Sequence, residues 1–137
     1  MKILLDTHAV IWALTGDKRL GVKNEELILD SSNSVYFSIV SLWEIAIKNA
    51  KAPDKCPYNE RMVYEQCIES GYEMLELKPD HIFTLRSLNV KPQCTLSNMD
   101  PFDRVLISQA KSEGMHILSA DSNFKNYDVP CIMEIKK

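Results

Sequence analysis

The sequence lacks the features that mark a membrane protein or a strongly basic nucleic-acid-binding domain. It has no apolar run near the ~20 residues that a membrane-spanning helix needs, and Asp6 interrupts the first apolar segment. It has no excess of positive charge, because 16 Lys and Arg stand against 19 Asp and Glu, giving a formal net charge of −3. We therefore expect a cytoplasmic protein without a signal peptide, whose contacts with nucleic acid are local.

Closely spaced cysteine pairs are also absent. The chain has four cysteines and no C-x-x-C pair; they are Cys56, Cys67, Cys94 and Cys131. A chain of 137 residues is long enough to bury a core without disulfides. We predict free thiols in a reducing compartment and one domain that covers residues 1–137.

Short β-favouring runs and amphipathic segments alternate along the chain. The pattern predicts strands at residues 2–5, 35–39, 74–77, 115–118 and 129–135. It predicts helices at residues 9–14, 22–30, 41–50, 58–70, 79–88 and 101–112, with a loop at residues 89–99. Dipeptides typical of hairpins are missing, so the pattern indicates an α/β fold with a central, mostly parallel sheet.

Two helix starts carry capping patterns. Ser41 and Glu44 match the capping box S-x-x-E, which predicts Ser41 as the N-cap of its helix. Asp100 precedes Pro101, which predicts Asp100 as N-cap and Pro101 as the first helical residue, with Gly114 closing the helix. Each of these helices therefore begins next to an acid.

Acidic residues cluster where the predicted strands end or the next helices begin. They are Asp6, Glu44, Asp100, Asp103 and Asp121. Ligand sites of open parallel sheets lie beyond the carboxyl ends of the strands, so these side chains are expected to converge. Each acid alone also fits a helix cap. The helical wheel favours convergence, because it places Asp103 within the apolar arc of its helix and Glu44 at the margin of its own.

Several carboxylates in one groove repel each other unless a cation offsets their charge. Oxygen ligands without cysteine or histidine indicate a hard ion, Mg²⁺ or Mn²⁺. Such a metal lowers the pKa of a bound water and polarises a phosphate. The acids therefore predict metal-dependent phosphoryl transfer.

Four motifs occur in order along the chain: LLDTHA at residues 4–9, SLWEIAIK at residues 41–48, DPFDR at residues 100–104 and SADSNF at residues 119–124. Together they resemble the PIN domain, and specifically the toxin component of VapBC-type toxin–antitoxin pairs. The resemblance spans residues 3–127. Any one motif is weak alone, whereas four in order at these separations are characteristic.

The resemblance implies a three-layer α/β/α fold and a Mg²⁺-dependent endoribonuclease. Carried over motif by motif, the catalytic and metal-binding acids are Asp6, Glu44, Asp103 and Asp121, with Asp100 as an auxiliary metal ligand. Thr7 and Ser119 are implied as hydroxyl neighbours that orient the carboxylates or a water. The implied partners are an RNA substrate, a second copy in a homodimer, and a small antitoxin whose tail covers the groove.

Other functions are weighed on single residues. A dehalogenase-type phosphotransferase needs an acid where His8 stands, and a receiver-like signalling domain needs a later lysine at a strand end that is not evident. A catalytically inactive PIN-like module that binds RNA or protein would show the loss of an acid, and all the acids are present.

Residues outside the acids also have open interpretations. Lys48, Lys51 and Lys55 form a basic strip beyond Glu44 that fits either an RNA backbone or a solvated surface. Trp43 is interpreted as core or dimer packing.

Overall fold

Strands and helices alternate from the first residues onward. In the computed structural model, residues 1–88, 100–120, 124, 127 and 132–135 are described. The strands are β1 (Lys2–Leu5), β2 (Ser34–Ser38), β3 (Glu73–Leu75), β4 (His116–Ser119) and β5 (Ile132–Glu134). The helices are α1 (Thr7–Thr15), α2 (Val22–Leu29), α3 (Ile39–Lys51), α4 (Glu60–Glu69), α5 (Pro79–Thr84) and α6 (Pro101–Glu113). Short 3₁₀ turns lie at Lys18–Leu20 and Leu85–Ser87.

The sheet has the order β3-β2-β1-β4-β5, and every neighbouring pair is parallel. β1 lies at the centre, between β2 and β4. Its alternate residues belong to two separate cores, Ile3 and Leu5 to one and Leu4 to the other. A strand buried on both faces needs continuous apolar residues, which explains the sequence of β1. The carboxyl ends of all five strands therefore lie along one edge.

The two cores lie on opposite faces of the sheet. On one face, α1 and α4 contribute Val10, Trp12 and Val63. On the other, α6 contributes Leu106 and Ile107. Helices thus cover both faces, which confirms the predicted three-layer α/β/α fold with a parallel sheet.

The start of α3 corrects one prediction. The predicted capping box is wrong, because α3 begins at Ile39 and its N-cap is Ser38, whose Oγ accepts a hydrogen bond from Val40 N at 3.0 Å. β2 ends at Ser38, so the chain enters the helix without a separate turn. Ser41 consequently lies inside α3, buried, with its hydroxyl beside Thr7.

The start of α6 follows the prediction. The Asp100 side chain caps the helix by accepting from Phe102 N at 2.8 Å, and Pro101 is the first helical residue. Gly114 ends the helix with a left-handed conformation, φ 68°, that a glycine adopts without strain. The helix predicted at residues 79–88 ends earlier, at Thr84, and continues as a 3₁₀ turn.

Some sequence predictions fall on residues that the structure leaves undescribed. The predicted loop at residues 89–99 and the acid Asp121 lie outside the described residues. Cys56 and Cys67 are free thiols, whereas Cys94 and Cys131 also lie outside the described residues. Within the described ranges, no helix is both long enough and apolar enough to cross a membrane.

Candidate active site

Asp6 lies directly after the central strand and is 2% exposed. Its Oδ1 accepts a hydrogen bond from Ala9 N at 2.7 Å, which caps α1. Its Oδ2 accepts from the hydroxyl of Ser119, at the end of β4, at 2.6 Å. Its own amide donates to Leu118 O at 3.0 Å. The Asp6 carboxylate thus both caps a helix and lies at the edge of the sheet, although the sequence analysis treated these roles as alternatives.

Glu44 joins this edge through Thr7, the residue after Asp6. Glu44 is 5% exposed, and its Oε1 lies 2.7 Å from Thr7 Oγ1. An ionised carboxylate only accepts, so Thr7 donates this bond. Thr7 Oγ1 also lies 3.0 Å from the Ser41 hydroxyl, one turn before Glu44 on α3. Hydrogen bonds of Thr7 therefore connect the start of α1 to α3, next to Asp6 and Glu44.

The second oxygen of Glu44 is held by a lysine on the same helix. Lys48 Nζ lies 2.5 Å from Glu44 Oε2, at the i,i+4 spacing. Partial burial lowers the pKa of Lys48, but the hydrogen bond and charge of Glu44 and the charges of Asp100 and Asp103 outweigh it, so the pKa lies above its ordinary value. The charges of Asp100 and Asp103 therefore act on the same lysine that pairs with Glu44.

Asp103 follows the helical-wheel prediction in part. It is half-buried in the first turn of α6, while Leu106, Ile107 and Ala110 of the same face are fully buried. Asp100 is exposed and caps the helix. The charges of both acids raise the pKa of Lys48, and Phe102 between them packs against Trp43 of α3 with ring centroids 4.9 Å apart. The start of α6 therefore lies beside the helix that carries Glu44.

The sequence missed one buried polar residue that supports this edge. Gln109 of α6 is fully buried; its Oε1 accepts from Ser38 Oγ at 2.6 Å, and its Nε2 donates to Glu76 O at 3.3 Å. It therefore links α6 to the carboxyl ends of β2 and β3. The available signal was a polar residue within the apolar arc of α6, between Leu106 and Ala110. The pairing of Lys48 with Glu44 was not predicted either, because the sequence analysis placed Lys48 only in a basic strip.

The donors at this edge suit a hard cation in kind. They are carboxylate and hydroxyl oxygens from Asp6, Glu44, Asp103, Thr7 and Ser119. In the part of the chain that the structure describes, no three His, Cys, Asp or Glu side chains stand close enough together to hold a metal ion. Mg²⁺ typically binds through one or two carboxylates and completes its shell with waters and phosphate oxygens, so the donor set fits it.

The fold is shared with chains of toxin–antitoxin assemblies. The chain is similar to one in VapBC2 from Rickettsia felis bound to a promoter DNA fragment, with TM-score 0.67 and 16% identity over 98% of this chain and 97% of that one. It is similar to one in DNA-bound VapBC from Salmonella typhimurium, with TM-score 0.65 and 19% identity over 99% of both chains. A toxin–antitoxin complex from Klebsiella pneumoniae gives TM-score 0.58 and 11% identity over 98% of each chain.

Sequence comparison assigns the family. No curated protein sequence matches the chain. The family model of the PIN domain matches residues 3–130, which is nearly the whole chain. The chain therefore belongs to the PIN domain family.

Proposed function

We propose that this PIN domain is a metal-dependent endoribonuclease and the toxin of a toxin–antitoxin pair. The observation that carries the proposal is the joining of Asp6 and Glu44 through Thr7 at the carboxyl edge of a parallel sheet, opposite the acids of α6. Similarity to chains of VapBC and toxin–antitoxin complexes supports the biological role. Because the chain belongs to the PIN domain family, the receiver-like and dehalogenase-like alternatives no longer apply.

The proposed metal-binding acids are Asp6, Glu44 and Asp103, of which one or two would contact the ion directly and the rest would act through its bound waters. Asp121 is expected to join them from its motif, with Asp100 as an auxiliary acid. Mg²⁺ or Mn²⁺ bound there would lower the pKa of an attacking water and offset charge on the scissile phosphate. Thr7 and Ser119 are positioning residues, because each donates a hydrogen bond that fixes one carboxylate. Buried bonds of this kind hold the acids in one rotamer before substrate arrives.

Lys48 supplies a counter-charge within the same edge. Its ammonium pairs with Glu44 and feels the charges of Asp100 and Asp103. This cation reduces repulsion among the acids when no metal is bound. A metal held by Glu44 would therefore compete with Lys48 for this carboxylate.

The direct test is cleavage of single-stranded RNA by the purified chain. We expect EDTA to stop cleavage and added Mg²⁺ or Mn²⁺ to restore it. Asp6→Asn should be inactive, whereas Asp30→Asn, the same change at an exposed acid between α2 and β2, should cleave normally. Absence of cleavage by the wild-type protein with either metal would favour a catalytically inactive binding module. Tight stoichiometric zinc held by cysteines would contradict the proposed ligand set.

An antitoxin is the proposed partner in the cytoplasm. A small protein with an Arg or Lys on its tail would pair with the acids, and its cation would compete with Lys48 for Glu44. Expression of this chain alone should slow growth, and co-expression with the small protein encoded beside it should restore growth. A chain that is harmless alone and purifies without any such partner would contradict the toxin role.

A homodimer is the proposed assembly. Ile39, Trp43 and Ile47 form an exposed apolar stripe along α3, at i,i+4 spacing, and Trp43 is 58% exposed. Trp43 packs edge-on against Phe102 of α6, with ring centroids 4.9 Å apart. Burial against a second copy would remove this stripe from water. Sedimentation should give a dimer that Trp43→Lys weakens; a monomer at micromolar concentration would contradict the assignment.

A further inference from the structure

A cavity of about 280 Å³ lies beside the acidic edge. Thr7 belongs to both, because it lines the cavity and donates to Glu44. The apolar side chains that line it include Ile11 and Tyr58, which are half-buried. The basic side chains around it are His8, Arg19, Lys48 and Lys55. None of the described residues that line it carries a carboxylate.

The cations around this cavity differ in how far they are already neutralised. Arg19 pairs with Asp17 at 2.7 Å, and its guanidinium lies over the Trp12 ring at 4.8 Å from the centroid. Lys48 pairs with Glu44. Lys55 has no ion pair with any carboxylate of the described ranges. It is therefore the cation most available to a bound anion.

The wall that carries Lys55 is fixed by hydrogen bonds. Asn49 of α3 donates from Nδ2 to Cys56 O at 2.9 Å. The amides of Lys55 and Cys56 both donate to Ala52 O at 3.0 Å. A loop held in this way limits the positions of Lys55, so less conformational entropy is lost when the lysine binds an anion.

We propose that this cavity is a subsite for the sugar-phosphate unit next to the scissile phosphate of single-stranded RNA. The inference rests on the proposed ribonuclease function. Its volume is slightly below the ~300–1,000 Å³ of ordinary small-molecule pockets, which suits a sugar-phosphate and not a stacked set of bases. The cationic side chains complement a phosphate, and the half-buried apolar side chains of Ile11 and Tyr58 accommodate the carbon face of a ribose.

Charge complementarity selects RNA as the occupant. The acidic edge repels the RNA backbone unless metal is bound there. The cavity beside it is lined by positive groups, which attract the phosphates directly. Lys48 stands between the two regions, paired with Glu44 and lining the cavity. Successive phosphates of one strand would therefore meet metal at the acids and ammonium groups in the cavity.

The test compares Lys55→Ala with Lys51→Ala. Lys51 is an exposed lysine in the last turn of α3 that does not line the cavity, so it is a matched control for loss of one charge. With a single-stranded RNA oligonucleotide, we expect Lys55→Ala to raise KM by roughly two- to fivefold at unchanged kcat, as expected for one partly exposed charge contact. The slope of log affinity against log salt should fall by about 0.7 for one lost phosphate contact. Lys51→Ala should change neither quantity.

Equilibrium binding separates the failure of this subsite from the failure of the proposed function. Fluorescence anisotropy with the same labelled oligonucleotide measures binding without cleavage when every protein carries Asp6→Asn. Because Lys55→Ala and Lys51→Ala are compared in that one background, any loss of metal binding caused by Asp6→Asn affects both equally. If the wild-type protein cleaves RNA but Lys55→Ala and Lys51→Ala behave alike, the subsite is overturned while the ribonuclease stands. If the wild-type protein does not cleave, weaker RNA binding by Lys55→Ala alone still supports the subsite. Unchanged RNA binding together with weaker antitoxin binding would overturn RNA as the occupant.

Discussion

Replacing Asp6 with Asn separates the catalytic role of this carboxylate from its structural role. Asn retains the oxygen that accepts from Ala9 N, and Asn and Asp are similar N-caps. The contact with Ser119 becomes neutral and reverses direction, because the Asn Nδ2 takes the place of Oδ2 and must donate to Ser119 Oγ. This change costs about 1–1.5 kcal/mol, because bonds to charged groups contribute about 1.5–3 kcal/mol and neutral ones about 0.5–1.5 kcal/mol. Loss of negative charge at the start of α1 costs about 0.3–1 kcal/mol more.

The expected destabilisation is therefore roughly 1–2.5 kcal/mol, partly offset by relief of repulsion among the acids. The free energy of unfolding of a native protein is about 5–15 kcal/mol, so the variant should remain folded. A chain of this length loses roughly 3–6 °C in Tm per kcal/mol. Circular dichroism melting should thus show a moderately lower Tm and an unchanged native spectrum.

Activity should fall far more than stability. Loss of an outer-shell partner of a metal ligand costs about 10–100-fold in affinity or activity, so loss of a ligating charge should exceed that, on the order of 10²-fold or more. The assay is cleavage of labelled single-stranded RNA at saturating Mg²⁺. Asp6→Ala should be equally inactive but less stable, since it also removes the cap. Normal cleavage by folded Asp6→Asn, with contaminating nuclease excluded, would refute the reasoning.

Three further changes test separate contacts. Asp100→Ala should lower the free energy of unfolding by about 1 kcal/mol through loss of the N-cap and retain cleavage; inactivity of the folded variant would assign this acid to the metal site. Thr7→Val removes the donor to Glu44 and should lower metal affinity about 10–100-fold, with rescue by Thr7→Ser; equal affinity of the Val variant in metal titrations would contradict the positioning role. Burial raises the pKa of Cys67 to about 12, so at pH 8 this thiol should react with iodoacetamide much more slowly than Cys56, and equal rates by mass spectrometry would contradict its burial.

The sequence was sufficient where local pattern and topology agree. The apolar run of β1 predicted a strand buried on both faces, and an acid at its end predicted a place at the ligand edge of a parallel sheet. Asp100 and Pro101 predicted the start of α6 because a cap depends only on neighbouring residues. These features need no knowledge of which elements pack together.

The contacts that organise the acids depend on tertiary packing and were outside the reach of pattern. Thr7 bonds Glu44, which is 37 residues away in sequence, and Ser119 bonds Asp6 across 113 residues. Ser41 matched a local capping pattern, but in the folded chain its hydroxyl bonds to Thr7, and Ser38 caps the helix instead. A local pattern therefore predicts the wrong partner when two serines compete for one helix start.

The central position of β1 has a consequence for local unfolding. Strands at the edges of a sheet and the loops beside them open at lower free energy than the centre, where both neighbours hold the backbone. Asp6 follows β1 directly, and its amide bonds to β4. We expect the amides of β1 and Asp6 to exchange with deuterium only through global unfolding, while those of the edge strand β3 exchange through local opening. Asp6 would then keep its position during local openings that expose other parts of the chain to proteases.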